Sequence, residues 1–304
     1  MLAVLFVVFC CVSCKKDGVY KPKEKISKIY YEYSYITYSD GDIVYKSSPE
    51  KNLSEKWHWE KEKLIQIEHD FWPYNFIYKK NQLEKIECAE MVVKFIYNES
   101  LYEKIEISNK GKDLLIITIN ERNKNNITKF SIQMFYDDDT WYDYAKNKSN
   151  VEETQTISVI EPIIQLLFPS SFTHFITKNI AEKTHKSITV ETYTVELKYD
   201  KNNVIEQTFK DSYGDELTYI FSYDKKKNPF YKSSHTFLEG IEEGFFIQSE
   251  NNILTMYEKN YPEDITKYEY EYNGDYPTKQ IEKYTYGNER FLTERSSIYY
   301  YEYE

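Results

Sequence analysis

Apolar and polar positions alternate along most of this chain, and short polar tracts interrupt the alternation at regular intervals. Three stretches align: WHWEKEKLIQIE at 57–68, FIYKKNQLEKIE at 76–87 and FIYNESLYEKIE at 95–106. Trp59, Tyr78 and Tyr97 stand nineteen residues apart. Leu64, Leu83 and Tyr102 follow five positions later, and Ile67, Ile86 and Ile105 eight later. Residues at i and i+2 share one face of a strand. The pairs Trp57/Trp59, Phe76/Tyr78 and Phe95/Tyr97 therefore mark an outgoing strand. The polar tract after each pair turns the chain back. The returning strand steps by three from Leu64 to Ile67, not by two, which predicts a β-bulge or twist there.

Looser copies follow. LKYDKNNVIEQ spans 197–207, YIFSYDKKKNPFY spans 219–231 and YEYEYNGDYPTKQIE spans 268–282, where Asn273-Gly274 is a tight-turn signal. Further alternating runs cover 114–119, 127–135, 187–199 and 290–303. Tyr268, Tyr270 and Tyr272 fall on one face, and Lys267, Glu269 and Glu271 on the other. Such a sheet buries one face and wets the other, and it must curl or close to protect its edges. The pattern predicts an all-β fold: an antiparallel hairpin meander forming a strongly curved sheet or barrel, as one domain over 29–304. One region breaks the rhythm. In TISVIEPIIQLLFPSSFTHFITKNIAE, 156–182, Pro162 can open a short helix that Pro169 ends. It reads as a helical insertion packed on the sheet, either a plain crossover or a lid.

The start of the chain has a different texture. Leu2 to Val12 is nearly unbroken hydrophobicity, half of what a spanning helix needs and the length of a secretory signal core. Cys11-Val12-Ser13-Cys14 resembles a bacterial lipobox. That resemblance implies a signal peptide over 1–13, cleavage before Cys14, and lipid on Cys14. Lys15-Lys16-Asp17-Gly18 is similar to the Lys/Asp tract that marks outer-surface lipoproteins of the Bacteroidetes. It implies an outer-membrane location, lipid-anchored and facing outward. Residues 14–28, rich in lysine and broken by Gly18 and Pro22, read as a solvated tether.

Composition removes several functions. Net charge is −11, so the chain lacks the basic stripe that nucleic acid requires. Of four cysteines, Cys10 and Cys11 leave with the signal and Cys14 takes lipid. Cys88 then has no partner for an intramolecular disulfide. No cofactor motif and no metal site stands out. Asp137-Asp138-Asp139 with Asp143 lacks EF-hand spacing, and His58 and His69 lack ligand spacing. There is no G-x-S-x-G elbow. Ser170, Ser171 and His174 lack a nearby acid, and Glu242-Glu243 is one carboxylate pair among many. The aromatic rows either fill the core or stack on sugar rings. Trp72 and Trp141, beside turn residues, are the candidates for ligand stacking, whereas Trp57 and Trp59 fall on the core face.

Three groups of residues carry a family resemblance: Tyr199-Asp200 with its Asn-rich turn, Tyr223-Asp224 with Asn228-Pro229-Phe230, and Tyr272 through Thr278. They resemble the strand-turn "YD" repeats of bacterial surface proteins. With the lipobox end at Cys14, they are also similar to a Bacteroidetes lipoprotein family of porin-like fold. That family implies a barrel-like sheet and no particular chemistry. The expected function is a non-catalytic binding or scaffold module of the envelope, facing a glycan or an envelope protein. The alternatives are a polysaccharide-acting enzyme and an assembly component without a small ligand. A true membrane-spanning barrel fits poorly, because lysine and glutamate saturate one face of the strands.

Overall fold

The computed structural model describes residues 17, 19–69, 73–89, 91–136, 189–233, 249–287 and 291–304. Among these there is no helix, and the segment 156–182 expected to hold one lies outside the described residues. The strands are β1 (Ile26–Ser39), β2 (Asp42–Lys46), β3 (Lys51–Glu60), β4 (Lys63–His69), β5 (Tyr74–Lys79), β6 (Gln82–Cys88), β7 (Met91–Asn98), β8 (Leu101–Asn109) and β9 (Lys112–Asn123). They continue as β10 (Asn126–Tyr136), β11 (Thr189–Asp200), β12 (Asn203–Lys210), β13 (Glu216–Lys227), β14 (Asn251–Glu258), β15 (Tyr261–Asn273), β16 (Tyr276–Gly287) and β17 (Phe291–Tyr303). From β3 onward each strand pairs antiparallel with the next in the chain.

The meander closes on itself. β1 pairs with β17 along its whole length, from Ile26↔Tyr303 to Ser39↔Phe291. Its other edge takes β3 at Lys28–Glu32 and β2 at Ile36–Ser39. β2 and β3 thus share one place in the ring, so the described strands form a closed barrel of sixteen. Between them the ladder is carried by Ser47, whose N–H donates to the Tyr35 carbonyl at 3.0 Å while its Oγ accepts from the Tyr35 N–H at 2.8 Å. Pro49, which has no N–H, follows.

The nineteen-residue repeat has a two-part explanation. The first part is the bulge expected from the step of three. Trp59 faces Leu64, His58 faces Gln66, and Ile65 is the extra residue. The same insertion occurs at Glu84, Glu103, Ile205 and Thr278. It resets the pleat so that Leu64 and Ile67 both point inward, at 1% and 0% exposure. The bulge residue turns outward whatever its polarity, and so Ile65 and Ile205 are exposed.

The second part explains the tyrosines. The Tyr78 hydroxyl donates to the carbonyl of Leu64, at the bulge of the preceding hairpin, at 2.9 Å. Tyr97 donates to Leu83 at 2.5 Å and Tyr223 to Val204 at 2.5 Å. Tyr199 reaches Ile127 (3.0 Å), Tyr303 reaches Pro277 (2.7 Å), and the Trp59 indole N–H reaches Ile26 (2.7 Å). Each anchor aromatic clasps its hairpin to a neighbouring strand. Burial pushes the phenols of Tyr78, Tyr97, Tyr199 and Tyr303 well above their ordinary pKa. Turn chemistry completes the unit: Lys80 and Asn81 both have positive φ, as do Asp40 and Gly41, the geometry of tight hairpins with right-handed twist.

Inside, Ile67, Ile86, Val93, Ile107, Ile117, Phe130, Ile132, Val195, Val204 and Phe209 have no exposure to water at all. This part of the interior is a packed core and not a water-filled bore. Outside, the pleat presents ion pairs such as Lys56–Glu68, Lys104–Glu106 and Lys129–Glu196.

Candidate functional site

One end of the barrel, where β1 begins and β17 finishes, is sealed. Residues 19–25, expected as part of a tether, run across it as a strap. Tyr20 is buried, donates to the Pro229 carbonyl at 2.5 Å, and packs on Trp57 and Trp59 with ring centroids 6.5 and 5.7 Å away. Phe230, from the connection after β13, enters beside it, 6.2 Å from Trp57 and 5.9 Å from Tyr301. Asp17 is held at four points, one of them its carbonyl, which accepts from Gln82 Nε2 at 3.4 Å. Its Oδ2 accepts from Arg122 Nη2 at 2.7 Å and from the Tyr102 N–H at 2.8 Å, and its N–H donates to Ser100. Trp57 and Trp59 are therefore core and clasp, as their place on the core face implied.

At this end Asp224 has an organising role. Its Oδ1 accepts the backbone N–H groups of Lys226 and Asn252 at 3.0 and 3.1 Å. Its Oδ2 accepts from Asn252 Nδ2 and from the Tyr272 hydroxyl. Burial, and then this carboxylate, raise the Tyr272 pKa. With both oxygens bonded, Asp224 ties β13 to β14 and β15.

The opposite half of β1 has another character. Tyr31, Tyr33 and Tyr35 share the inward parity of Ile29, yet none is buried. Their rings form a continuous ladder. Tyr31 to Tyr33 is 6.5 Å, Tyr33 to Tyr35 is 5.9 Å, and Tyr35 to Tyr45 on β2 is 5.0 Å with planes 16° apart. Tyr299 on β17 joins Tyr31 at 5.2 Å. On the outer face Lys51 sits over the rings of Tyr30 and Tyr300 at 4.5 and 4.0 Å, and the Tyr300 hydroxyl donates to Glu32 at 3.0 Å. Beside the ladder, Ile43 and Val44 of β2 are 59% and 60% exposed. The outer edge of β2 carries no strand partner among the described residues.

The sequence candidates fare unevenly. Cys14, Trp72 and Trp141 lie outside the described residues, as do Asp137–Asp139, Asp143, Ser170, Ser171, His174, Glu242 and Glu243. His58 lies on the outer face with its Nε2 2.8 Å from Glu68 Oε1. Cys88 is buried at 5% exposure, which leaves its thiol out of reach of solvent reagents. No group of three or more metal-binding side chains occurs among the described residues. The ladder itself was visible as the period-two tyrosines of YYEYSYITY, 30–38, but inward tyrosines spell a core as readily as a mouth.

No family model matches the chain, and no curated protein matches it. Solved structures do. A porin-like protein from Bacteroides vulgatus matches with a TM-score of 0.45 at 8% identity, over 92% of this chain and 99% of that one. A porin-like protein from Bacteroides uniformis matches with a TM-score of 0.37 at 10% identity, over 92% of this chain and 98% of that one.

Proposed function

We propose that this chain is a non-catalytic envelope module, held to the outer membrane by lipid on Cys14, whose tyrosine ladder binds a glycan. The observation that carries the reading is the contrast within one barrel. Aliphatic and aromatic side chains fill the buried core, while Tyr31, Tyr33, Tyr35, Tyr45 and Tyr299 present a partly exposed, continuous stack of rings. An aromatic face offers a sugar ring a flat apolar platform with a polar edge. The ion pairs on the outer face support a barrel that stands in water beside a membrane, with the lipid as its anchor. The lysine-rich tract after Cys14 favours the outward-facing leaflet. Trp72 and Trp141 are proposed as further stacking residues, from their place beside turn residues in the sequence.

Calorimetric titration against oligosaccharides picked out by a glycan array tests the ladder. Tyr33→Ala and Tyr35→Ala should each weaken binding by about tenfold, the scale of one lost stacking partner. An array with no hits removes the glycan reading. A second reading is favoured by the bare β2 edge: an envelope protein adding a strand beside Ile43 and Val44. Cross-linking from Lys46→Cys to a defined envelope protein, unaffected by Tyr33→Ala, would support it.

A further inference from the structure

We infer that the strapped end of the barrel lies flat on an anionic bilayer surface, with the tyrosine ladder turned away from the membrane. The inference rests on the anchoring reading for Cys14 and adds to it an orientation and a lipid-facing surface. Only Lys15 and Lys16 separate Cys14 from Asp17. Asp17 is pinned to β8 and β9 through Ser100, Tyr102 and Arg122. Three residue steps reach about 10 Å when fully extended. The short reach leaves the barrel no room to swing, so the pinned end must touch the interface.

The charge on that end agrees. Four of its turns place an exposed lysine at positive φ: Lys61, Lys80, Lys124 and Lys201. Lys21 and Lys23 on the strap are exposed as well. Of its acids, Asp17 is taken up by Arg122 and Glu62 by Lys21, while Glu99, Asp200, Asp275 and Glu304 are exposed and fewer than its lysines. The far turns run the other way. Asp40 and Asp42 flank Gly41, and Asp211, Asp215 and Glu216 cluster before β13, with Lys110 and Lys112 as exceptions. A chain of net charge −11 that gathers lysines at its lipid-bearing end is polarised toward a negatively charged headgroup layer.

Two measurements on the full-length chain test this. In the first, the chain made in a Gram-negative host is reconstituted into phosphatidylglycerol vesicles that carry a headgroup quencher. A fluorophore is placed at Lys124→Cys or at Asp215→Cys. Strong quenching at the first site and little at the second is expected, and equal quenching at both overturns the orientation. In the second, the unacylated Cys14→Ala chain is sedimented with phosphatidylglycerol vesicles. Replacing Lys61, Lys80, Lys124 and Lys201 together by Glu should cut binding about tenfold or more. Binding unchanged by the four replacements, or equal on phosphatidylcholine, overturns the surface. Palmitate labelling of the first preparation tests anchoring separately. If label is absent the anchoring reading fails, and sedimentation still decides the surface.

Discussion

The wall formed by β7 to β10 and the wall formed by β17, β1 and β2 are built from the same antiparallel ladder, yet they end in opposite states. In the first, inward positions are Val93, Phe95, Ile105, Ile107, Ile117, Phe130 and Ile132, all essentially dry. In the second, the inward face begins with Ile26 and, past a register shift, Ile29, both buried, and then changes to tyrosine and partial exposure from Tyr31 onward. Backbone geometry is therefore not what separates core from mouth. The difference is side-chain choice. Aliphatic groups can only be stabilised by exclusion of water, while a phenol tolerates a wet boundary.

The contrast can be broken at either wall. Phe130→Ala should cost about 3–5 kcal/mol by emptying a fully packed site. Tyr33→Ala, at a half-buried site, should cost less, about 1–2 kcal/mol, since part of the ring already meets water. Urea unfolding of the two variants side by side checks this, and equal losses would mean the ladder is core after all. Next in size are the clasps. Tyr97→Phe keeps the ring and removes the hydroxyl bond to Leu83, at an expected cost of about 1 kcal/mol. Similar in size but opposite in sign is Gln207→Leu. This glutamine is 1% exposed and its Oε1 has no hydrogen-bond partner, so an apolar replacement should raise stability by about 1 kcal/mol.

The smallest effect at neutral pH concerns protons. The clasp phenols have pKa values raised by burial, so the folded state keeps protons that the unfolded chain releases. Their contribution is complete below the unfolded phenol value of 10.0 and falls as pH rises beyond it toward the folded values. Alkaline titration should show the clasp phenolates appearing together with unfolding. Tyr97→Phe should make the alkaline loss of stability shallower.

The repeat was readable because its spacing lies in the side chains. The step from Leu64 to Ile67 announced the bulge, and Ile86 and Ile105 repeated it. The clasps were not readable, because the partner of each tyrosine is a main-chain carbonyl that any residue supplies. Closure was likewise hidden: nothing in ISKIYYEYSYITYS names FLTERSSIYYYEY as its neighbour, although the two pair over their full length. The strap escaped notice because Tyr20 is one aromatic among lysines. Only its contacts with Trp57, Trp59 and Pro229 reveal it as a plug.

The seam between the first strand and the last has a consequence for biogenesis. Ile26 must wait for Tyr303 before the ring can shut, a contact spanning nearly the entire polypeptide. Local hairpins can zip as they emerge, but the closing step carries the largest loop entropy of any in the molecule. During folding every copy therefore passes through an unrolled stage, with two raw sheet margins and an aromatic flank open to its neighbours. The lifetime of that open sheet, rather than the final stability of the barrel, then sets how much of the chain closes before it aggregates.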